Sequence, residues 1–281
     1  MAALMPHAGS AHVIGITGSP GVGKSTSTNA LVAGLRKQDK RVGVLAIDPS
    51  SPFSGGALLG DRIRMSDHAL DPDVYIRSMA SRGHLGGVSW ATPQAIRVLD
   101  AAGCDVVIVE TVGVGQSEVE VAGLADTSIV LLAPGMGDGI QAAKAGILEI
   151  GDIFVVNKAD RDGADATVRD LRHMISLGDR TEPGLWRPPV LKTVAATGEG
   201  VETVVSAIGD HYAWMLANGT LQQRRTRRAA DEVESIAVQA IRSRMGDLRS
   251  GAGLDDLADA VVAGRLDPYA AADRLVGSLT G

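Results

Sequence analysis

The sequence predicts an open α/β fold with a helical appendage, and three observations carry the prediction. Short apolar runs alternate with longer amphipathic segments along the first three quarters of the chain. One of those runs leads without a gap into Gly18-Ser19-Pro20-Gly21-Val22-Gly23-Lys24-Ser25, which fits G-x-x-x-x-G-K-[ST]. After Gly219 the strand-like runs stop and only helical spacing remains.

His12 to Thr17 reads as a buried strand and Thr26 to Gln38 as the helix that follows it. A glycine loop between the two is an anion site: backbone N–H groups curl around phosphate oxygens, and the helix dipole favours negative charge. This is the phosphate loop of a P-loop NTPase. Gly21, Val22, Gly23, Lys24, Ser25 and Thr26 form the phosphate-gripping set. Lys24 is placed to reach the β- and γ-phosphates and Ser25 to ligate Mg²⁺.

The second strand, Arg41 to Ile47, ends at Asp48, which sets a carboxylate at the sheet edge where open α/β folds bind ligands. A loop rich in proline, serine and glycine runs to Gly60, and Asp61 closes it. Asp48 and Asp61 are both candidates for the Mg²⁺ shell, directly or through water. Asp61 serves equally as a helix cap or a surface charge. Val74 to Met79 is the third strand. His84, in a glycine-rich stretch, reads as a loop residue, because no second histidine lies at metal spacing. Thr92 to Ala102 reads as a helix with Pro93 in its first turn.

Cys104 to Glu110 is the fourth strand, and Glu110-Thr111-Val112-Gly113 follows. A carboxylate there holds Mg²⁺ through water or orients the attacking water, and the Gly113 N–H can sense the γ-phosphate. Val114 to Glu120 is a switch candidate, with Gln116 as a water-positioning residue. Thr127 to Leu132 is the fifth strand, and a glycine-rich loop from Ala133 leads into a helix carrying Lys144. The sixth strand, Asp152 to Val156, ends in Asn157-Lys158-Ala159-Asp160. Asp160 can accept N1–H and the 2-amino group of guanine. Adenine has neither donor, so buried polar pairing of this kind rejects the wrong base by about 10⁴-fold. Lys158 lies along the base plane in this reading, and Asn157 ties the loops together. Val190 to Val194 is the last strand. Ala195, Ala196 and Thr197 open a small-residue loop that lets backbone approach the guanine O6.

Residues 1–11 read as a short frayed lead-in, 12–217 as the nucleotide-binding domain and 218–281 as the helical extension. In that extension Val233, Ile236, Ala237, Ala240, Ile241 and Met245 fall at helical spacing, and two shorter helices follow. The Arg224 to Arg228 basic run reads as a solvated helix start or a partner contact. Of 281 residues, 27 are Lys or Arg and 33 Asp or Glu, a net charge of −6 that argues against nucleic acid as a partner. Cys104 is the sole cysteine, which leaves no disulfide framework or cysteine zinc cluster and suits a cytoplasmic setting. No run reaches the ~18 apolar residues of a membrane span.

Phosphate loop, E-T-V-G, N-K-A-D and small-residue loop, in that order, describe a GTPase. More closely, the chain resembles the MeaB/ArgK family, GTPase chaperones of adenosylcobalamin-dependent methylmalonyl-CoA mutase. Gly15 to Thr26, Val44 to Pro52, Gly55 to Arg62, Glu110 to Glu118 and Asn157 to Asp160 carry the resemblance. It implies a doubly wound, mostly parallel sheet and a homodimer formed through the C-terminal helices. It also implies that Lys24, Ser25, Asp48, Asp61 and Glu110 serve phosphate and Mg²⁺, that the segment from Ala133 to Lys144 relays nucleotide state to the mutase, and that Lys144 acts in hydrolysis. An adenosyltransferase is the further partner implied, with the GTPase gating cobalamin delivery. Family members carry more helical sequence before the first strand than the eleven residues here. The competing readings are an ATP-dependent energiser of basic amino-acid transport, which Asp160 opposes, and a nickel-insertion GTPase, for which the histidine and cysteine ligands are missing.

Overall fold

The computed structural model describes residues 1–48, 65–68, 70–80, 91–111, 117–135, 147–177, 184–249 and 252–277. Contacts divide the chain into two compact units, Met1–Gln223 and Arg224–Gly281.

The first unit is built on seven strands: β1 (His12–Thr17), β2 (Val42–Asp48), β3 (Val74–Ala80), β4 (Val106–Thr111), β5 (Thr127–Leu132), β6 (Ile153–Val156) and β7 (Val190–Lys192). They form one sheet in the order β3-β2-β4-β1-β5-β6-β7, and every pairing is parallel. Parallel strands need helices over both faces, which is why the strands read as continuous apolar runs. The helices of this unit are α1 (Lys24–Arg36), α2 (Thr92–Ala101), α3 (Ser117–Leu124), α4 (Ile147–Ile150), α5 (Ala164–Ser176) and α6 (Val201–Ala217).

Alternation along each strand sorts the core into two layers. Ile14 and Ile16 of β1, Ile108 of β4, Ile129 and Leu131 of β5 and Val155 of β6 pack with Leu31, Val32 and Leu35 of α1 and Val204, Val205 and Ile208 of α6. The alternate residues Val13, Val107 and Val109 pack on the other face with Ile96 and Leu99 of α2 and Val121 of α3. Further along that face Val130, Phe154 and Val156 pack with Val168 and Leu171 of α5. The expected doubly wound sheet is present.

Strands β2 to β4 lie on one side of β1, and β5 to β7 lie on the other. That reversal makes the C-terminal edge beside β1 the place where such sheets bind ligands.

The eleven-residue lead-in is held rather than frayed. Residues Ala2–His7 form a 3₁₀ helix, and the Asp100 carboxylate at the end of α2 accepts the backbone N–H groups of Gly9, Ser10 and Ala11 and the Ser10 hydroxyl. The anchor is a single carboxylate far along the chain that satisfies backbone donors. Hydrophobic periodicity within the lead-in carries no sign of it.

The second unit holds most of α7 (Thr220–Arg249), α8 (Ala252–Val262) and α9 (Pro268–Gly277). No helix among the described residues is long and apolar enough to cross a membrane.

Candidate nucleotide site

Two glycines of the phosphate loop are required by geometry. Gly18 has φ +141°, and a Cβ on it would collide with the Leu131 carbonyl oxygen of β5. Gly23 caps α1 in the left-handed region at φ +94°, where a Cβ would meet Asn157 Nδ2 at 2.5 Å. Any other residue at either position displaces a strand or the neighbouring loop. With Gly23 as the cap, α1 begins at Lys24, two residues earlier than the apolar pattern indicates. The loop thus feeds straight into a helix N-terminus, whose dipole favours an anion.

Lys24 and Ser25 open α1 and both are buried. The Lys24 ammonium curls back over the loop and donates to the carbonyls of Gly18 at 2.6 Å and Ser19 at 3.1 Å. The Ser25 hydroxyl donates to Glu110 Oε1 at 2.8 Å, reaching across to the end of β4. Glu110 is 4% exposed. Asp48 is the last residue of β2, and the register that sets Ile47 against Thr111 brings its backbone to the same sheet edge. A serine hydroxyl and a carboxylate in direct contact form a hard-oxygen donor set, which is the chemistry Mg²⁺ selects. Asp61, Gly113, Gln116, His84 and Lys144 lie outside the described residues.

The loop after β6 is fastened to the glycine loop by two side chains. Asn157 Nδ2 donates to the Val22 carbonyl at 2.8 Å, while its Oδ1 accepts the Ala195 N–H at 3.0 Å and the Thr193 hydroxyl at 3.2 Å. Lys158 sits in the left-handed region at φ +56°, and its ammonium donates to the Gly21 carbonyl at 2.6 Å. Asp160 is exposed in the turn after β6. Ala195 is buried, whereas Ala196 and Thr197 are exposed in a turn closed by the Val194–Glu199 bridge and by the Thr197 hydroxyl on the Val194 carbonyl. The structure therefore brings Gly21, Val22, Gly23, Lys24, Ser25, Glu110, Asn157, Lys158 and Ala195 into one connected set. Thr193 belongs to it as well. A single threonine at a strand end follows no sequence pattern that would mark its hydroxyl.

An all-parallel sheet whose central strand runs through a glycine loop into a helix, with Lys24 and Ser25 in the first turn, defines a P-loop NTPase. Residues 1–249 match the family described as Methylmalonyl Co-A mutase-associated GTPase MeaB. The chain belongs to that family and is a GTPase. A Pyrococcus horikoshii protein that carries the name GTPase is 47% identical over 279 residues, covering 99% of this chain and 87% of its own. The GTPase ArgK of Escherichia coli is 42% identical over 232 residues, covering 82% of this chain and 70% of its own. The mouse protein named methylmalonic aciduria type A homolog, mitochondrial, is 40% identical over 216 residues, 75% of this chain and 52% of its own. Among solved structures, one named LAO/AO transport system kinase is 32% identical with a TM-score of 0.72, covering 100% of this chain and 85% of its own. The hydrogenase maturation factor HypB from Archaeoglobus fulgidus, 16% identical with a TM-score of 0.52, covers 78% of this chain and 94% of its own and shares the fold alone.

Proposed function

We propose that this GTPase is a conformational switch for an adenosylcobalamin-dependent methylmalonyl-CoA mutase, gating the loading of its cofactor from an adenosyltransferase and protecting the loaded enzyme. The observation that carries the reading is the family match over residues 1–249, whose description names the mutase. The mouse relative's name points to the same metabolism. Cytoplasmic placement belongs to this reading, supported by the sole cysteine, Cys104.

In this reading Lys24 swings from the Gly18 and Ser19 carbonyls onto the β- and γ-phosphates when GTP enters. Ser25, Asp48, Asp61 and Glu110 would hold Mg²⁺, which when bound neutralises charge on the phosphate oxygens. Glu110, Lys24 and Lys144 are the residues assigned to hydrolysis. Water attacks the γ-phosphorus, the bond to the β–γ bridging oxygen breaks, and GDP and phosphate leave. Such a reaction asks for positioning and charge stabilisation more than covalent help from the protein. Gly113 senses the γ-phosphate. Asn157, Lys158 and Asp160, with Ala195, Ala196 and Thr197, hold the guanine.

The second reading, an ATP-driven energiser of basic amino-acid transport, is favoured by the 32% identical structure, which bears a transport-kinase name. Competition of unlabelled GTP and ATP against a fluorescent GDP analogue separates the two. A guanine preference of ~10⁴-fold is expected, and Lys24→Ala should abolish binding of both nucleotides. Equal displacement by ATP would overturn the guanine assignment. Capture of the mutase by protein loaded with a GTP analogue or with GDP then tests the partner: equal capture in both states, or none, would remove the switch.

A further inference from the structure

At the sheet edge where the strands begin, opposite the phosphate loop, lies a polar chain that the nucleotide site does not use. His12 opens β1, Thr127 opens β5, Asp152 stands just before β6, and His211 lies midway along α6. All four are buried, Thr127 and His211 completely. Thr127 Oγ1 is 2.7 Å from His12 Nε2 and 2.8 Å from His211 Nδ1. His211 Nε2 faces Asp152 Oδ1 at 3.4 Å, and the other oxygen of Asp152 accepts the Ser128 N–H at 2.9 Å. The rings of Trp186 and Trp214 pack 4.7 and 5.8 Å from that of His211, and Tyr212 stacks on His12 at 4.3 Å. Water is kept out by this aromatic wall, and hydrogen bonds in such a place strengthen.

Proton counting fixes what the chain can do. A threonine hydroxyl carries one proton. Among the described residues the Thr127 hydroxyl has the two imidazoles as its partners. The hydroxyl also has two acceptor lone pairs, so its proton stays hydrogen-bonded only when it lies on one of the two short bonds and the other ring donates N–H to it. The Asp152 carboxylate favours a proton on His211 Nε2. When His211 is neutral, its Nδ1 accepts the Thr127 O–H, and His12 donates from Nε2. When His211 is cationic, its Nδ1–H donates to Thr127, and the buried hydroxyl keeps a partner by turning to His12, which then carries its proton on Nδ1.

We propose that His12, Thr127, His211 and Asp152 form a one-proton relay, in which the charge on buried His211 sets the tautomer of His12 at the start of the strand that leads to the phosphate loop. The relay is a pH-responsive device fastening α6 to the sheet. Histidine is the side chain whose ordinary titration falls between about pH 5 and 8. Asp152 faces His211 directly, and His12 is joined to it through Thr127. Tyr212 is set against the far face of His12. Protonation of His211 turns its contact with Asp152 into an ion pair between α6 and the residue just before β6.

The test is nuclear magnetic resonance of the full chain with ¹⁵N-labelled histidine rings, titrated from about pH 8 to 5. The expected result is one transition in which His211 gains its second ring proton and His12 passes from the Nε2–H to the Nδ1–H tautomer. Tryptophan emission should shift with the same midpoint, because Trp186 and Trp214 flank His211. In Thr127→Val, His211 should still titrate while His12 no longer follows. Rings with separate midpoints, a His12 tautomer constant across the range, or a His211 that never titrates would each overturn the relay. The unsubstituted protein alone decides between these results if Thr127→Val does not fold.

Discussion

The amide of Asn157 joins three segments: its NH₂ holds the phosphate loop at Val22, and its oxygen holds the last strand at Thr193 and the small-residue loop at Ala195. Replacing it by alanine leaves a buried carbonyl, N–H and hydroxyl without their partner. Each such loss costs on the order of 1–3 kcal/mol. Asn157→Ala should therefore lower the unfolding free energy of the nucleotide-free protein by ~3 kcal/mol and weaken GDP binding further, as read by denaturant unfolding with and without GDP. At this scale the sequence was informative where a motif has fixed spacing. The Gly18–Ser25 loop and Asn157–Asp160 are local strings, and their chemistry is written in consecutive residues. Thr193, Asp100 and the His12–Thr127–His211 chain were not legible. Their partners lie 36, 89 to 91, and 84 to 115 residues away, and no local pattern marks a contact of that range.

Among elements, the lead-in and the edge strand show how carboxylates fasten a parallel sheet. Asp100 at the end of α2 gathers three consecutive backbone amides of the lead-in. Asp100→Ala should release residues 9–11, with stability falling by ~2 kcal/mol and amide exchange accelerating there before the sheet is affected. Just ahead of β3, Asp71 and Asp73 bond Arg36 of α1 at 2.9 and 3.1 Å. The Arg36 hydrogen bond holds the Asp71 carboxyl below its ordinary range, helped by the Asp73 N–H. A depressed carboxylate contributes stability above its unfolded pKa and loses it as pH falls through the folded value. Asp71→Asn should therefore reduce the difference in stability between neutral pH and acid below the ordinary carboxylate range, with little consequence in the acid itself; thermal unfolding across that interval reads it. Strand positions were legible because burial on both faces makes each one an unbroken apolar run. The start of α1 was not, because Gly23 sets it by backbone conformation and because Lys24 and Ser25 are buried although polar.

For the whole molecule, the helical unit leaves apolar side chains outside. Val233 is 67% exposed, Ile241 55% and Ile236 45%, all on α7. A helix that presents such a stripe is expected to cover it against another surface. In the homodimer that the family resemblance implies, a second copy would cover that stripe. Val233→Glu combined with Ile241→Glu should leave the nucleotide-binding unit folded and reduce the sedimenting mass to that of one chain. An unchanged two-chain mass would move the subunit contact elsewhere, and a one-chain mass for the unsubstituted protein would remove the homodimer.

Because Lys158 and Asn157 grip Gly21 and Val22, the jaw proposed to close on a purine and the jaw proposed to close on a polyanion share a single hinge pin. If these are the two ends of the nucleotide site, a nucleoside without phosphates, seated first, should stiffen the cradle that its missing tail would occupy, and pyrophosphate arriving later should bind more tightly than it does to the empty protein. The two halves of a severed ligand should thus bind as allies, each favouring the other without ever touching it.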